Sequence, residues 1–245
     1  MKIKKSNIFR LILFCIVVIF FIWQWTSYQS RNLPENTFKD DNKVSVEKSS
    51  DKITFRSTNL KYQNEIIFFQ GGLTDPKAYA PLCRNIAKNG FTCYLIKMDW
   101  RMPKWDYKKI ETMFDLKSGK YIIGGHSQEA KMASQFVYEN PDLMKGLFLL
   151  GTSHPKDFDL SGRILPTIKL YGELDGLASV SEVMEYKSKL PKNTRLIEIK
   201  GGNHSQFGYL GKLLTDNTAE IDLAEQQRIT VEKLAEFFNE IESEN

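Results

Sequence analysis

Three residues of the chain have the side chains and the order needed for nucleophilic hydrolysis: Ser127, Asp175 and His204. A serine hydroxyl is a weak nucleophile. It needs a base such as histidine to take its proton and a carboxylate to hold that imidazole in the right tautomer. The order serine, acid, histidine is the one expected when the serine follows a strand of a parallel sheet. The pattern therefore makes Ser127 a candidate nucleophile, Asp175 a candidate acid and His204 a candidate base.

The segment around the serine, YIIGGHSQEAKMA, has the pattern of a strand, a sharp turn and a helix, with Ser127 at the turn. That context exposes the hydroxyl and directs the free N–H groups of the helix N-terminus towards it. The alternative is that Gly-His-Ser is ordinary turn chemistry with no catalytic meaning.

The choice of base is narrow because the chain has only three histidines. His126 precedes the serine and is expected to point elsewhere from the turn, and His154 lies in a loop. His204 follows a strand within GGNHSQFG, whose glycines allow close approach of the backbone. For the acid, two alternatives stay open: Asp99 takes the role, or Asp175 only caps a helix.

Strand and helix patterns alternate from residue 52 onward, and these elements must position the reactive residues. Apolar runs predict strands at Ile53–Ser57, Glu65–Phe69, Thr92–Met98, Tyr121–Gly124, Gly146–Leu150, Thr167–Tyr171 and Arg195–Ile199. Helical periodicity predicts helices at Tyr79–Asn89, Gln128–Glu139, Val180–Leu190 and Leu223–Ile241. The alternation favours one three-layer α/β domain, with a mostly parallel sheet covered by helices on both faces. The candidate residues each follow a strand, so they meet at the carboxyl edge of that sheet.

Two further motifs narrow the prediction. The first is FFQGGLTDPKAY at Phe68–Tyr79, and the second is GGNHSQFGYLG at Gly201–Gly211. Together with the serine turn they make residues 53–243 resemble the α/β-hydrolase superfamily. More narrowly, they resemble a small bacterial, membrane-anchored branch with FxxGGxxDPxxY and GGNHxQFGxxG. The resemblance implies an α/β-hydrolase fold and the same nucleophile, acid and base.

The resemblance also implies an oxyanion hole made of two backbone N–H groups. One belongs to Gln128, the residue after the nucleophile, and the other to the glycine loop of the first motif. Within that loop we expect Gly72 to be the donor, with Leu73 as the close alternative.

The serine turn departs from the G-x-S-x-G pattern at its last position, where Glu129 replaces glycine. Small residues at both ends normally let this turn pack against neighbouring strands. The Glu129 side chain is therefore expected to point outward or to strain the turn. A carboxylate near the site would also raise the pKa of the histidine. This departure keeps open a retired hydrolase fold that serves as a ligand-binding or envelope interaction module.

Residues 1–30 are expected to form a cytoplasmic tip and a transmembrane anchor. Residues 8–25 are almost continuously apolar and would span about 27 Å as a helix. All charged residues in 1–34 are positive, which predicts a cytoplasmic N-terminus and an extracytoplasmic remainder at the cell membrane. The alternative is a cleaved signal peptide, but the run is long and no A-x-A-like site follows it. Residues 31–51 are polar and aperiodic, which predicts a tether to a hydrolase domain at 52–245.

Composition excludes several other classes of function. The 245 residues carry a net charge of +4, and all of the excess lies before residue 35, so there is no electrostatic case for nucleic acid. No metal-ligand spacing and no phosphate-binding glycine motif occurs, so neither a metal nor a cofactor is expected.

We therefore expect a membrane-anchored serine hydrolase that cleaves a small-molecule or envelope ester through an acyl-enzyme. An acyltransferase using the same residues is a further alternative. Residues 151–166, between two predicted strands, are too few for a large cap domain. The site is therefore expected to be open and to discriminate weakly between short and long acyl chains.

Overall fold

A sheet of eight strands runs through the part of the chain that the structure, a computed structural model, describes: residues 5–101 and 106–243. The strands are β1 (Val44–Lys48), β2 (Lys52–Ser57), β3 (Glu65–Phe69), β4 (Thr92–Ile96), β5 (Tyr121–His126), β6 (Gly146–Leu150), β7 (Thr167–Gly172) and β8 (Arg195–Ile199). Their order is β1-β2-β4-β3-β5-β6-β7-β8. Strands β3 to β8 are parallel, whereas β2 is antiparallel to both of its neighbours. The mostly parallel sheet is confirmed.

Helices cover both faces of the sheet. They are α2 (Ala80–Lys88), α3 (Ile110–Met113), α4 (Gln128–Glu139), α5 (Val180–Glu185) and α6 (Leu223–Ser243), while α1 (Lys5–Ser27) lies outside the sheet. One apolar core contains side chains of α2 and α6, and the other contains side chains of α3 and α4. The apolar strand β3 contributes side chains to both cores. Ile66 and Phe68 pack into one core, and Ile67 and Phe69 pack into the other. This is the expected three-layer α/β-hydrolase architecture.

Two glycines let β5 lie close to its neighbours just before the serine turn. A Cβ on Gly124 would stand 2.1 Å from the carbonyl oxygen of Phe148 in β6, and one on Gly125 would stand 2.6 Å from that of Phe69 in β3. Neither separation is tolerable for a real Cβ atom. The Gly-Gly pair is therefore required by the packing of the sheet at the point where the chain turns.

The structure corrects the expected polar tether at residues 31–51. Val44 is fully buried and begins β1, which pairs with β2 along its whole length. Before it, the carboxylate of Asp41 pairs at 2.7 Å with the guanidinium of Arg84, which is itself buried in α2. The sequence pattern missed β1 because an edge strand buries one face only, and five residues of VSVEK leave few apolar positions to recognise. The ordered domain therefore begins well before residue 52.

Two segments outside the sheet matter for the site. Within the described residues, Asn7–Ser27 of α1 is the one helix long and apolar enough to cross a membrane. Residues 151–166 join β6 to β7 as a loop, with neither helix nor strand. The expected lack of a large cap domain is thus confirmed.

Placing a charge in β1 tests whether this segment is an ordered edge strand or a flexible tether. Val44→Asp puts a carboxylate at a fully buried position, so we expect the free energy of unfolding to fall by about 3 kcal/mol. Urea unfolding followed by circular dichroism measures this. The matched control is Glu47→Ala on the exposed face of the same strand, which should change stability by less than about 0.5 kcal/mol. Equal stability of the two variants would contradict the packing of β1.

Candidate active site

The expected nucleophile lies at a sharp turn between β5 and α4. Ser127 has φ +60° and ψ −124°, in the region of positive φ that non-glycine residues rarely occupy. Its N–H donates a hydrogen bond of 2.9 Å to the carbonyl oxygen of Leu150 at the end of β6. The turn is thereby fixed to the sheet, and the serine lines a cavity at the carboxyl edge.

The structure brings the three expected residues into one hydrogen-bonded chain. The Nε2 atom of His204 lies 3.0 Å from Oγ of Ser127. The Nδ1 atom lies 2.9 Å from Oδ2 and 3.1 Å from Oδ1 of Asp175. Both His204 and Asp175 are almost completely buried. A carboxylate that accepts from Nδ1–H leaves Nε2 as the nitrogen that can take the serine proton.

The carboxylate of Asp175 combines the two roles that the sequence left open. Its Oδ1 atom accepts backbone N–H groups from Leu177 at 2.8 Å and Ala178 at 2.6 Å, a local turn that orients the side chain. The same carboxylate bonds His204, whereas the cap of α5 is Ser179. Asp99, the other candidate acid, is largely exposed and faces Lys109. The geometry therefore selects Asp175 as the partner of the imidazole.

His126 lines the cavity, contrary to the expectation that it points elsewhere. Its Nδ1 atom lies 2.7 Å from the hydroxyl of buried Tyr79, and its ring centroid lies 4.4 Å from that of His204. Burial lowers the pKa of His126 well below its usual value, and the neighbouring His204 lowers it further. A neutral His126 therefore stands against the imidazole of His204 without hydrogen bonding to the serine.

Two backbone N–H groups lie beside the serine at the cavity. They belong to Gly72 and Gln128, which both line it, and the N–H of Gly72 also lies near the buried carboxyl of Glu129. The N–H of Leu73, the alternative donor, is already engaged by the carbonyl oxygen of Arg101 at 2.9 Å. The arrangement thus leaves Gly72 and Gln128 as the available pair.

The Glu129 side chain points inward, which corrects the expected outward direction. It is fully buried, and neither carboxyl oxygen has a hydrogen-bond partner within the described residues. A Cβ built on Gly72 would lie 3.3 Å from its Oε1, so the carboxyl packs against the glycine loop. Burial raises the pKa of Glu129 well above its usual value, although the nearby N–H groups of Glu129 and Gly72 lower it in part. Burial therefore favours the neutral form of this carboxyl.

The cavity has a volume of about 350 Å³ and an apolar rim. Leu73, Leu177 and Leu213 line it together with the serine and its histidine, and so does Tyr28 from the segment after α1. Glu129 is not among the lining residues, so it does not fill the space in front of Ser127. The site can therefore receive an apolar group next to a hydroxyl that is hydrogen-bonded to an imidazole.

A family model described as the alpha/beta hydrolase family matches residues 65–228. The chain belongs to the α/β hydrolase family. Among solved structures, a protein described as a predicted CIB-like hydrolase from Thermoplasma acidophilum aligns with a TM-score of 0.60 at 16% identity. The alignment covers 79% of this chain and 99% of that one, and at this identity it shows the shared fold alone. No curated protein matches the chain.

A second buried carboxylate, which the sequence did not reveal, holds the histidine loop of this α/β hydrolase. Asp216 accepts the N–H of His204 at 3.3 Å and both the N–H and the hydroxyl of Ser205, at 2.8 and 2.6 Å. It also accepts the N–H of Gly176, next to Asp175. One side chain therefore joins the loop of the acid to the loop of the base. Asp216 does not follow a strand, so the sequence pattern that marks strand ends did not indicate it.

The C-terminal helix supports the same loop through a side-chain amide. Gln226 of α6 is fully buried and accepts the N–H of Asn203 at 3.0 Å. Its own amide nitrogen donates to the carbonyl oxygen of Asn203 at 2.8 Å. The two bonds make a closed clamp on the residue that precedes His204.

The buried carboxyl of Glu129 makes stability depend on pH in a defined direction. The unfolded chain ionises Glu129 near its ordinary pKa, whereas the folded chain keeps the carboxyl neutral, so stability falls as pH rises above that ordinary value. Glu129→Gln removes the ionisation while keeping the shape. We expect its Tm relative to the unaltered protein to be about 3 °C or more higher at pH 8 than at pH 5, measured by calorimetry.

The control is Glu111→Gln, an exposed carboxylate on α3, for which the difference in Tm should stay the same at both pH values. A pH-independent difference for Glu129→Gln as well would contradict a neutral buried carboxyl.

Proposed function

We propose that the protein is a membrane-anchored, extracytoplasmic serine hydrolase that cleaves carboxylic esters through an acyl-enzyme. One observation carries the proposal: Ser127, His204 and Asp175 form a continuous hydrogen-bonded chain, and the serine opens onto a cavity that Gly72 and Gln128 also line. The family is one of hydrolases, which supports the reaction class.

In the first half of the reaction, Oγ of Ser127 attacks the acyl carbon while Nε2 of His204 takes its proton. The carbonyl oxygen becomes an oxyanion, and the N–H groups of Gly72 and Gln128 are placed to donate to it. Hydrogen bonds of this kind are worth about 3–4 kcal/mol in the transition state. The alcohol then leaves with the proton held on His204, and the acyl group stays on the serine.

In the second half, water replaces the alcohol. His204 takes a proton from the water, which attacks the acyl carbon. The bond between that carbon and Oγ then breaks, the acid leaves, and His204 returns the proton to Oγ of Ser127. If an alcohol enters instead of water, the same groups transfer the acyl group, which is the alternative of an acyltransferase. A fold without activity gains no support from Glu129, because its side chain is not among those that line the cavity.

The proposed location rests on α1 and on the charges around it. Asn7–Ser27 is about 31 Å long as a helix, enough to cross a hydrocarbon core. The positive residues before it favour a cytoplasmic N-terminus, and this orientation puts the hydrolase domain outside.

Removal of any member of the hydrogen-bonded chain tests the chemistry. Ser127→Ala and His204→Ala should each lower turnover of an activated ester about a thousandfold or more. Asp175→Asn should act nearly as strongly because the amide favours the wrong tautomer of the imidazole. The rates are measured by release of 4-nitrophenol from its butyrate ester.

Covalent labelling by a fluorophosphonate probe gives a second measurement of the reactive serine. The matched variant is Ser134→Ala, which removes a buried hydroxyl further along α4 and should keep both labelling and turnover. Full turnover by Ser127→Ala, or labelling of that variant at the level of Ser134→Ala, would refute the assignment of the nucleophile.

Cysteine labelling of intact cells tests the orientation. Leu60→Cys places a thiol at an exposed position of the domain, while the native Cys83 and Cys93 are buried. A membrane-impermeant maleimide should label this variant in intact cells and label Lys2→Cys only after lysis. Labelling in the reverse pattern would contradict the orientation, and a soluble product that begins near residue 26 would identify a cleaved signal peptide.

A further inference from the structure

No flexible linker separates the end of α1 from the hydrolase domain. Residues 27–31, here called the exit segment, lie against the hydrolase domain from the last residue of the helix onward. The carbonyl oxygen of Ser27 accepts the N–H of Gly211 at 3.2 Å, and that of Tyr28 accepts the N–H of Asp75 at 2.8 Å. Ser30 and Arg31 add a bridge to Leu210 and an N–H bond of 2.8 Å to the carbonyl oxygen of Tyr209. Backbone bonds on both sides therefore fix the helix end to the domain.

The exit segment forms part of the candidate active site. Tyr28 lines the same cavity as Ser127 and His204, and it is the first residue after α1. One residue of backbone spans about 4 Å, so the wall of the cavity begins at the end of the helix. A site that is attached to a spanning helix in this way lies at the depth of the lipid headgroups.

Arg101 connects the helix end to the glycine loop. Its guanidinium lies 4.6 Å from the ring centroid of Trp25 and 3.3 Å from the side-chain oxygen of Gln29. Its carbonyl oxygen accepts the N–H of Leu73, the neighbour of Gly72. The loop that is placed to hold the oxyanion is thus tied to a tryptophan at the expected membrane interface.

The surface around the helix end suits a bilayer with anionic headgroups. A groove of about 580 Å³ runs beside α1, with Trp23 on the helix side and Leu214 on the domain side. Leu214 is 41% exposed, and Leu73 at the cavity rim is 48% exposed. Lys212 and Arg31 line the same groove and are exposed. Interfacial aromatic residues, exposed leucines and cations are the combination that binds the surface of an anionic membrane.

We infer that the substrate is an ester-linked phospholipid of the membrane that α1 spans, taken up at headgroup depth rather than from water. The inference rests on the proposed function. Ser127 attacks the acyl carbonyl, the lysolipid alcohol leaves with the proton from His204, and water then releases the fatty acid. The open cavity fits such a substrate. The apolar part of the acyl chain would stay within the bilayer, so no cap domain is needed to shield it from water.

The test uses the full chain reconstituted in vesicles of ether-linked phosphatidylcholine that contain ester-linked phosphatidylglycerol. Released fatty acid reports hydrolysis of the lipid, and 4-nitrophenyl butyrate in the same vesicles reports hydrolysis of a soluble ester. We expect both esters to be cleaved. Leu214→Asp should lower the ratio of the lipid rate to the soluble rate about tenfold, since it adds a negative charge to the surface that faces the anionic lipid.

The matched control is Leu60→Asp, an exposed leucine in the loop before β3, at the opposite edge of the sheet. This variant should leave the ratio unchanged. Hydrolysis of the soluble ester with intact lipid would overturn the inference and leave the proposed function standing. If Leu214→Asp and Leu60→Asp lower the ratio of lipid rate to soluble rate equally, the inference is also overturned. Hydrolysis of neither ester would refute the proposed function and the inference with it.

A measurement of depth tests the geometry without reference to activity. Leu214→Cys and Leu60→Cys, each labelled with bimane, are compared in vesicles that carry a nitroxide on the lipid headgroup. Quenching of the label at position 214 but not at position 60 is expected. Equal emission from both positions would overturn the placement of the site at the membrane surface.

Discussion

The site depends on the left-handed backbone at Ser127. A residue other than glycine in this conformation is unfavourable by about 1–3 kcal/mol, so the surroundings must hold it there. They do so through the hydrogen bond from its N–H to Leu150 and through the close packing of β5, which Gly124 and Gly125 permit. The same turn raises the hydroxyl off the sheet and leaves the N–H of Gln128 free at the start of α4. The hydroxyl of Ser127 and the N–H of Gln128 are thus placed side by side by one turn.

The imidazole is positioned by several buried contacts because it lies on a loop. Asp175 orients the ring, Asp216 holds the backbone of His204, and Gln226 clamps the preceding residue from the far side. Each of these polar groups is buried, and an unpaired polar group in such a place is costly. Several contacts therefore fix the loop that carries His204. The distance from its Nε2 atom to the serine is set before a substrate binds.

The sequence predicted the parts that depend on local pattern. Apolar runs placed strands β2 to β8 within a few residues, and the serine, aspartate and histidine were found because each follows a strand. What was missed depends on tertiary contact. β1 offers one buried face in five residues, Asp216 follows no strand, and the direction of Glu129 is decided by space beneath the glycine loop. The contact of Arg101 with Leu73 joins residues far apart in the chain and has no local signature.

The clamp by Gln226 has a consequence for the order of biosynthesis. The residue belongs to α6, which follows β5, β8 and the loop of His204 in the sequence, and it contacts that loop only after the helix has docked. A growing polypeptide that has already completed β5 and the serine turn still lacks a fixed loop around His204. That loop is held only once α6 has been synthesised and has docked. A protein truncated before residue 226 would keep Ser127 and lose the side chain that holds the backbone next to His204.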